Sequence, residues 1–476
     1  MTSAVPVVVG VGQVVQRRGD GDRDAIGLMV DASIAAAVDA GEPELAGRLD
    51  MVLVPEGTWP HRDAGRVVAT RLGSDDATTV VSRIGVLQTT LFGLAASSIS
   101  TGESSVVLVV GGEAKAGGRD PVDPPDSGEP DVELAPGPDM WTDLEVERGL
   151  VVPAQAYALQ EDAIRRFVDE SVDEHRVHLA DLWSCFSHVA ATNPYAWDRE
   201  YHDPHDIADP TSPGNRMVSN PYTKRHCSQW NVDQAVAILM VSAQVADELG
   251  VPAQQRVHPM SVVDSNAMIT LSARAELSRS PAFAVAGRRL AEATGVAPGD
   301  VDHVELYSCF PSAVQIQRAE LELDGLPLTV TGGMAFAGGP LNSAGLHGLA
   351  SMVDVLRADA GSTGLVTAIS GWITKGGVSL WSTDEPEAPF EWVDVSDQVL
   401  AETATVEVDG DHAGEVEVEA TTVAHDREGP GLAIVLGRSA TGRRVVAQSG
   451  DRRLAAAFAD QPPDGTVRVE GGRVIG

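Results

Sequence analysis

The sequence predicts an α/β fold built in layers, followed by a small all-β module at the C-terminus. Two observations carry that expectation. Up to Gly112, short apolar runs bounded by glycine alternate with stretches of helical spacing, the pattern of buried strands separated by crossover helices. Beyond Pro386 and Pro389, short alternating segments divided by Gly and Asp take over, the pattern of a barrel.

Taken in order, Val7–Gly12 reads as a buried first strand, Asp24–Ala40 as a helix and Leu49–Val54 as a second strand. A helical run, Thr89–Ser100, leads to the strand Val106–Val110. From Gly117 to Pro138 apolar periodicity vanishes among Pro, Gly, Asp and Glu, so a loop or insertion is expected there. Gln155–Phe167 and Arg176–Thr192 read as helices, and Asn193 to Pro221 as irregular chain. Val232–Leu249 mixes strand and helix character. Ser280 is expected to cap a helix over Pro281–Thr294, with proline at its first position. Val304–Leu306 reads as a short strand, about Pro311 to Leu323 as a helix, and Leu365–Ser370 with Val378–Trp381 as two strands. Glycine-bounded strand–helix units recur in both halves, which is consistent with an internal duplication. Val416–Val423, Leu432–Gly437, Arg443–Gln448 and Thr466–Val474 complete the β module.

The chain has 476 residues, room for roughly three domains. Its net charge of −35 opposes nucleic acid and anionic lipid. No run of about 18 apolar residues is present, so no membrane span is expected, and the N-terminal apolar run lacks a basic segment ahead of it. Three scattered cysteines, Cys185, Cys227 and Cys309, point to a reducing cytoplasm, and without a Cys-x-x-Cys no structural zinc is expected. Tyr201-His202-Asp203-Pro204-His205-Asp206 has metal-binding residue types, but the prolines in and around it read as a surface loop; no metal is expected.

Ser82-Arg83-Ile84-Gly85, followed by the helical run and by Val106–Gly112, resembles the block that opens with Asn-Arg-Leu-Cys in the thiolase superfamily. The chain resembles that superfamily to about Ser382, most nearly its sterol-carrier-protein thiolase branch and the thiolase-like protein type 1 offshoot. The C-terminal module is similar to the OB-like domain that marks this offshoot. The resemblance implies a duplicated thiolase fold layered α-β-α-β-α. Its N-terminal half would cover 1–255 with an inserted loop domain at about 115–228, its C-terminal half 256–385, and the β module 390–476.

Thiolases work through a nucleophilic cysteine, an Asn or His that holds water, a Gly-His-Pro histidine and a second cysteine. By resemblance these stations fall on Gly85, Tyr307 (in Tyr307-Ser308-Cys309-Phe310), Gly339 (in Gly338-Gly339-Pro340) and Ile369. None keeps the thiolase residue. Covalent acyl transfer needs an activated nucleophile, so ordinary thiolysis is not expected. The helix start beyond Ile84 and the glycines Gly332, Gly333 and Gly338 could still present N–H groups to a thioester oxygen.

Tyr307 is the leading candidate for residual acid/base chemistry, either in that role or as a filler of the lost side chain's space. Cys309 is a second-choice nucleophile or a buried inert thiol, and His347 a weaker candidate on the helix after Pro340, roughly two turns in. Lys224 and Arg225 form the most basic short segment of the chain; the resemblance places them near CoA phosphates, and a plain turn is the alternative. Ser280 lies in Ser278-Arg279-Ser280-Pro281-Ala282, similar to the Gly-Pro-Ile-Pro-Ala segment along which CoA passes in thiolases.

These readings lead to an acyl-CoA-binding protein of lipid or sterol-type metabolism, with CoA or acyl-CoA as ligand and no covalently bound cofactor. The alternatives are a C–C lyase (retro-aldolase) on a β-hydroxyacyl-CoA using Tyr307, as the related sterol side-chain retro-aldolases with their small OB-fold partner imply, and a non-catalytic scaffold. Thiolases pair through the N-terminal half, so a homodimer and a monomer both fit the sequence.

Overall fold

A computed structural model describes residues 4–118 and 127–475. Part of the expected 117–138 loop therefore lies outside the described residues. The first half runs β1 (Pro6–Val15), α1 (Ala25–Asp39), β2 (Met51–Pro55), α2 (Ala64–Leu72), β3 (Thr78–Ser82), α3 (Gln88–Ser100) and β4 (Val106–Ala114). An insertion follows: β5 (Val132–Leu134), α4 (Asp143–Glu147), α5 (Pro153–Phe167), α6 (Val172–Thr192), α7 (Pro204–Ala208), β6 (Met217–Ser219) and β7 (Tyr222–Thr223). The chain then returns through β8 (Asp233–Ser242) and α8 (Ala243–Leu249).

The second half comprises β9 (His258–Ser265), α9 (Pro281–Thr294), β10 (His303–Glu305), α10 (Pro311–Glu320), α11 (Gly333–Phe336), α12 (Ala344–Ala358), β11 (Thr363–Ser370) and β12 (Lys375–Ser382). The C-terminal part holds β13 (Glu391–Asp394), α13 (Ser396–Glu402), β14 (Ala413–Asp426), β15 (Gly429–Ser439), β16 (Arg444–Ser449), α14 (Arg452–Asp460), β17 (Thr466–Glu470) and β18 (Arg473–Val474).

The two main sheets repeat one topology. In the first, β1 pairs antiparallel with β8, β8 antiparallel with β4, and β4 parallel with β2. In the second, β9, β12, β11 and β10 follow in the same order with the same directions. β3 and β5 extend the first sheet, and β13 adds to the outer edge of β9. Every residue of β4 and β8 is buried, because helices cover both sheet faces.

The core between the sheets is built on α3 and α12. Leu91, Phe92, Leu346 and Leu349 meet Leu53, Val109 and Ile238 on one side and Val262, Val366 and Trp381 on the other. A helix held between two sheets has no solvent face, which is why α3 is apolar or small nearly all round. At Gly93 a Cβ would lie 2.5 Å from the Trp392 ring, so the indole can lie on α3 only over glycine. Helices α1 and α9 cover the outer faces, giving five layers, α-β-α-β-α.

The C-terminal strands close on themselves. The order β15-β16-β18-β17-β14, completed by β14 pairing with β15, is a five-stranded barrel. It also carries α14, whose N-cap is Asp451. The β6–β7 hairpin of the insertion extends this sheet beside β14. Asp162 on α5 accepts the Thr421 N–H at 2.9 Å, and the buried Arg444 donates to the Arg274 carbonyl at 3.0 Å. The barrel is thereby seated on the insertion and on the loop ahead of α9.

Several expected details change. α6 begins at Val172 rather than near Arg176, because Ser171 and Glu174 form a reciprocal capping box. The stretch expected as loop around His205 contains the short helix α7, capped by Asp203. Ser280 does not cap α9: its hydroxyl donates to the Ile373 carbonyl and its N–H to Glu320. α3 starts at Gln88, so Gly85 stands in the turn ahead of the helix and not at its first residue. His347 sits in the first turn of α12, not two turns in.

Candidate functional site

Short chains of contacts link the four positions at which the resemblance places thiolase chemistry. Gly85, at φ +104°, presents its carbonyl to the Lys375 ammonium at 3.3 Å. Lys375 opens β12 opposite Ser370, and Gly376 pairs with Ile369. Two residues back on β11, Thr367 accepts the Tyr307 N–H at 2.8 Å. Beyond Tyr307, the Cys309 carbonyl accepts the Ser228 hydroxyl at 2.8 Å, and the next residue after Ser228, Gln229, accepts the Gly339 N–H through its carbonyl at 2.9 Å. Gln88 at the start of α3 donates to the Asn342 side chain at 2.9 Å, joining the first station's helix to the chain after the third.

Space at these stations is filled. A Cβ on Gly85 would lie 2.7 Å from the Pro136 Cβ, and one on Gly339 would lie 3.1 Å from the Met334 methyl. Lys375 is fully buried, with the Gly85 and Pro136 carbonyls as acceptors, and burial lowers its pKa. The N–H groups of Gly332 and Gly333 are spent on the Thr329 and Thr331 hydroxyls, at 2.9 and 3.0 Å. A Cβ on Gly338 would lie 2.0 Å from Gln234. The expectation that Gly332 and Gly333 offer free amides is therefore corrected: local side chains already hold them.

Tyr307 is half-buried, and burial with the neighbouring Cys309 raises its phenol above the ordinary range, favouring the proton-donating form. Burial pushes the Cys309 thiol up to about 12, and it is hydrogen-bonded to Tyr157. A thiol so placed is almost wholly protonated near neutrality. Tyr157 stacks on Phe310 with ring centroids 4.9 Å apart. His347 is buried, its Nδ1 2.8 Å from Gln13 and its Nε2 without a partner; desolvation lowers its pKa to about 3. It is a neutral imidazole at physiological pH.

The fourth station, Ile369, lies in β11, two residues ahead of a strained stretch of backbone. Gly371, Trp372 and Ile373 have φ of 58°, 55° and 66°, a left-handed run in which two residues carry side chains. Arg274, itself buried, donates to the carbonyls of Ile269, Gly371 and Trp372 at 3.1, 3.0 and 2.7 Å. Burial lowers its pKa to about 10, which leaves the guanidinium charged.

Beside this run lies a cavity of about 230 Å³, lined by Arg274, Arg279, Ser280, Ile373 and Thr403 among others. It sits where the N-terminus of α9 meets the chain leading into the barrel. Arg279 is half-exposed and forms a two-point pair with Glu320, at 2.6 and 3.0 Å. Lys224 and Arg225 do not line this cavity. Arg225 donates to the Asp206 and Pro213 carbonyls, and Lys224 is half-buried with its pKa lowered by desolvation.

Residues 394–471 match the family model described as the thiolase-like protein type 1 additional C-terminal domain. The crystal structure of a monomeric SCP2-thiolase-like protein type 1 from Mycobacterium smegmatis superposes with a TM-score of 0.84 at 28% identity, covering 99% of this chain and 98% of that one. The chain carries the thiolase fold with the type 1 C-terminal domain. A second solved structure, an Ltp2–ChsH2(DUF35) aldolase, matches at TM-score 0.62 and 21% identity, covering 81% of this thiolase-like chain and all of that one. Among curated proteins, an acetyl-CoA acetyltransferase of Methanothermobacter thermautotrophicus is 28% identical over 163 residues. That match takes in 30% of the thiolase-like chain and spans less than half, 42%, of the relative's length. Among the described residues no helix is long and apolar enough to cross a membrane.

Sequence reasoning gave no role to Lys375 or Arg274. Each had a signal: Lys375 is one of three lysines in the chain and precedes a Gly-Gly pair, and Arg274 interrupts a run of apolar and small residues. What each side chain reaches could not be read from either signal, since the Gly85, Pro136, Gly371 and Trp372 carbonyls are distant in sequence from their donors.

Proposed function

We propose that this thiolase-like chain binds an acyl-CoA-type thioester in the cytoplasm, within lipid or sterol-type metabolism, and does not run conventional thiolysis. The carrying observation is the cavity between the start of α9 and Thr403, which brings Arg274 and Arg279 to the segment that resembles the thiolase CoA path. Glu276 and Glu402 line it too, so the two arginines offset its carboxylates, and in a chain of net charge −35 an anionic ligand depends on those arginines. A helix N-terminus adds favourable potential for phosphate. At about 230 Å³ the cavity suits part of a CoA molecule rather than the whole. The relative named as an acetyl-CoA acetyltransferase supports the same ligand class.

Titration calorimetry with CoA and acetyl-CoA at low salt tests this. Binding by wild type that weakens at least tenfold in Arg279→Ala is expected; no heat up to millimolar ligand would reject the reading.

A second reading, a C–C lyase acting on a β-hydroxyacyl-CoA, is favoured by one observation. A closed barrel is fused here to the thiolase-fold body, and the similar structure named as an aldolase joins a DUF35 partner. In that reading Cα–Cβ cleavage turns the β-hydroxyl into a carbonyl with loss of its proton, Tyr307 protonates the released α-carbon, and the proton given up by the hydroxyl restores the phenol. Cleavage of β-hydroxyacyl-CoAs by wild type and not by Tyr307→Phe would establish it, and no cleavage by either would leave binding alone. We also infer a monomer, because β5 pairs with β3 and covers that sheet edge within the same chain.

A further inference from the structure

Away from the thiolase stations, where α5 turns into α6, two histidines and a carboxylate converge. We propose that Glu170, His175 and His178 form a site for a divalent transition metal of the zinc class. His175 and His178 are three residues apart on α6 and so share a face. One ring nitrogen of each and a Glu170 oxygen all lie within 4.8 Å of one another.

Three features fit a metal. The Glu170 Oε1 to His178 Nδ1 distance is 3.4 Å, and two ligands at zinc bond lengths on a tetrahedral ion are about 3.4 Å apart. Behind His175 stands the carboxylate–histidine arrangement that orients metal-binding imidazoles: Nε2 is 2.8 Å from Oε1 of the fully buried Glu161. Glu161 is in turn held by the Tyr222 hydroxyl and the Gln315 amide, each at 2.6 Å. That leaves Nδ1 of His175 as the ligating atom. Finally, Arg165 binds the Glu170 carbonyl at 2.9 Å and so anchors the backbone that carries the carboxylate.

Glu170 Oε2 and His175 Nδ1 are 2.6 Å apart and share a proton. A metal ion takes that proton's place and releases it to solvent, and the pair opens by under about 1 Å to reach bonding geometry. His178 is 44% exposed and Glu170 28%, which gives the ion a path in and leaves the fourth position to water. Two nitrogens and one oxygen suit zinc better than calcium or magnesium. The bound ion would fasten the α5–α6 turn, and with it the helix on which the barrel is seated.

Protein stripped with EDTA and titrated with zinc chloride, then with cobalt chloride as a spectroscopic probe, tests the site. Wild type is expected to bind one zinc, gain thermal stability and show the strong visible absorption of tetrahedral cobalt. His178→Ala, at a half-exposed position, should fold and bind at least tenfold more weakly; Glu170→Gln should do the same. His205→Ala, in the separate surface group of Asp203, His205 and Asp206 on and before α7, should bind like wild type. The proposal is overturned if wild type binds no zinc, if His178→Ala and Glu170→Gln both bind as tightly as wild type, or if His205→Ala abolishes binding.

Discussion

The Lys375 ammonium lies 3.3 Å from the carbonyl oxygen of Gly85 and donates also to Pro136. It therefore ties the turn at the first thiolase station to the opening of β12. A cysteine at Gly85 would have to adopt a φ of +104° with its Cβ 2.7 Å from Pro136. Gly85→Cys should lower unfolding stability by roughly 1–3 kcal/mol and produce no thiolytic activity. Chemical denaturation beside a thiolysis assay checks both, and thiolysis at rates typical of thiolases would refute the assignment of the remaining stations.

Arg274 holds the left-handed run through two of its carbonyls, Gly371 and Trp372, and also donates to Ile269. Arg274→Ala should cost about 3 kcal/mol or more, since those acceptors stay buried after their donor is gone. Arg274→Lys should recover part of the loss, because an ammonium cannot reproduce the fork. A wild-type urea midpoint in the alanine variant would show that the run holds itself.

Acid should unfold this chain through buried histidines. Desolvation lowers His226 and His347 to about 3, against an ordinary value of about 6.5. A histidine with a depressed folded pKa leaves the unfolded chain the better proton acceptor below pH 6.5. Its contribution is present above that pH and falls away between 6.5 and about 3. Each histidine should remove about 1.4 kcal/mol per pH unit inside that window. His347→Gln should flatten the slope measured by urea unfolding at pH 7, 6, 5 and 4; an unchanged slope would count against its buried neutral state.

Covering of the β3 edge should decide the assembly state. Replacing residues 127–134 by a glycine–serine linker removes β5 and leaves β3 with unpaired backbone groups. Sedimentation of that variant should show self-association absent from wild type. A variant that sediments as wild type would mean that something other than β5 controls pairing.

Much of the body was legible from residue pattern. Strand and helix positions such as those of β1, α1, β4, α9 and β11 follow from apolar runs and from glycine and proline boundaries, because burial and backbone geometry act locally. The exceptions have local causes too: the capping box of Ser171 and Glu174 lengthened α6, and Asp203 capped a helix where prolines read as loop. At the site, the sequence pointed to Tyr307, Gly339 and Ile369 only through its resemblance to the thiolase superfamily, and it expected free amides at Gly332 and Gly333 that the Thr329 and Thr331 hydroxyls in fact hold.

By itself, then, the sequence determined an α/β body of repeated strand–helix units, a terminal β module and an acidic surface, all of them properties of composition and short-range periodicity. Only the tertiary structure decided that β14 and β15 close the module into a barrel, that Lys375 reaches Gly85, and that Arg274 clamps Gly371 and Trp372. It also brought Glu170, His175 and His178 together and set His175 against the buried Glu161. These are contacts between side chains and backbone groups, most of them far apart along the chain. Their partners are set by how layers and helices pack, which no local pattern encodes.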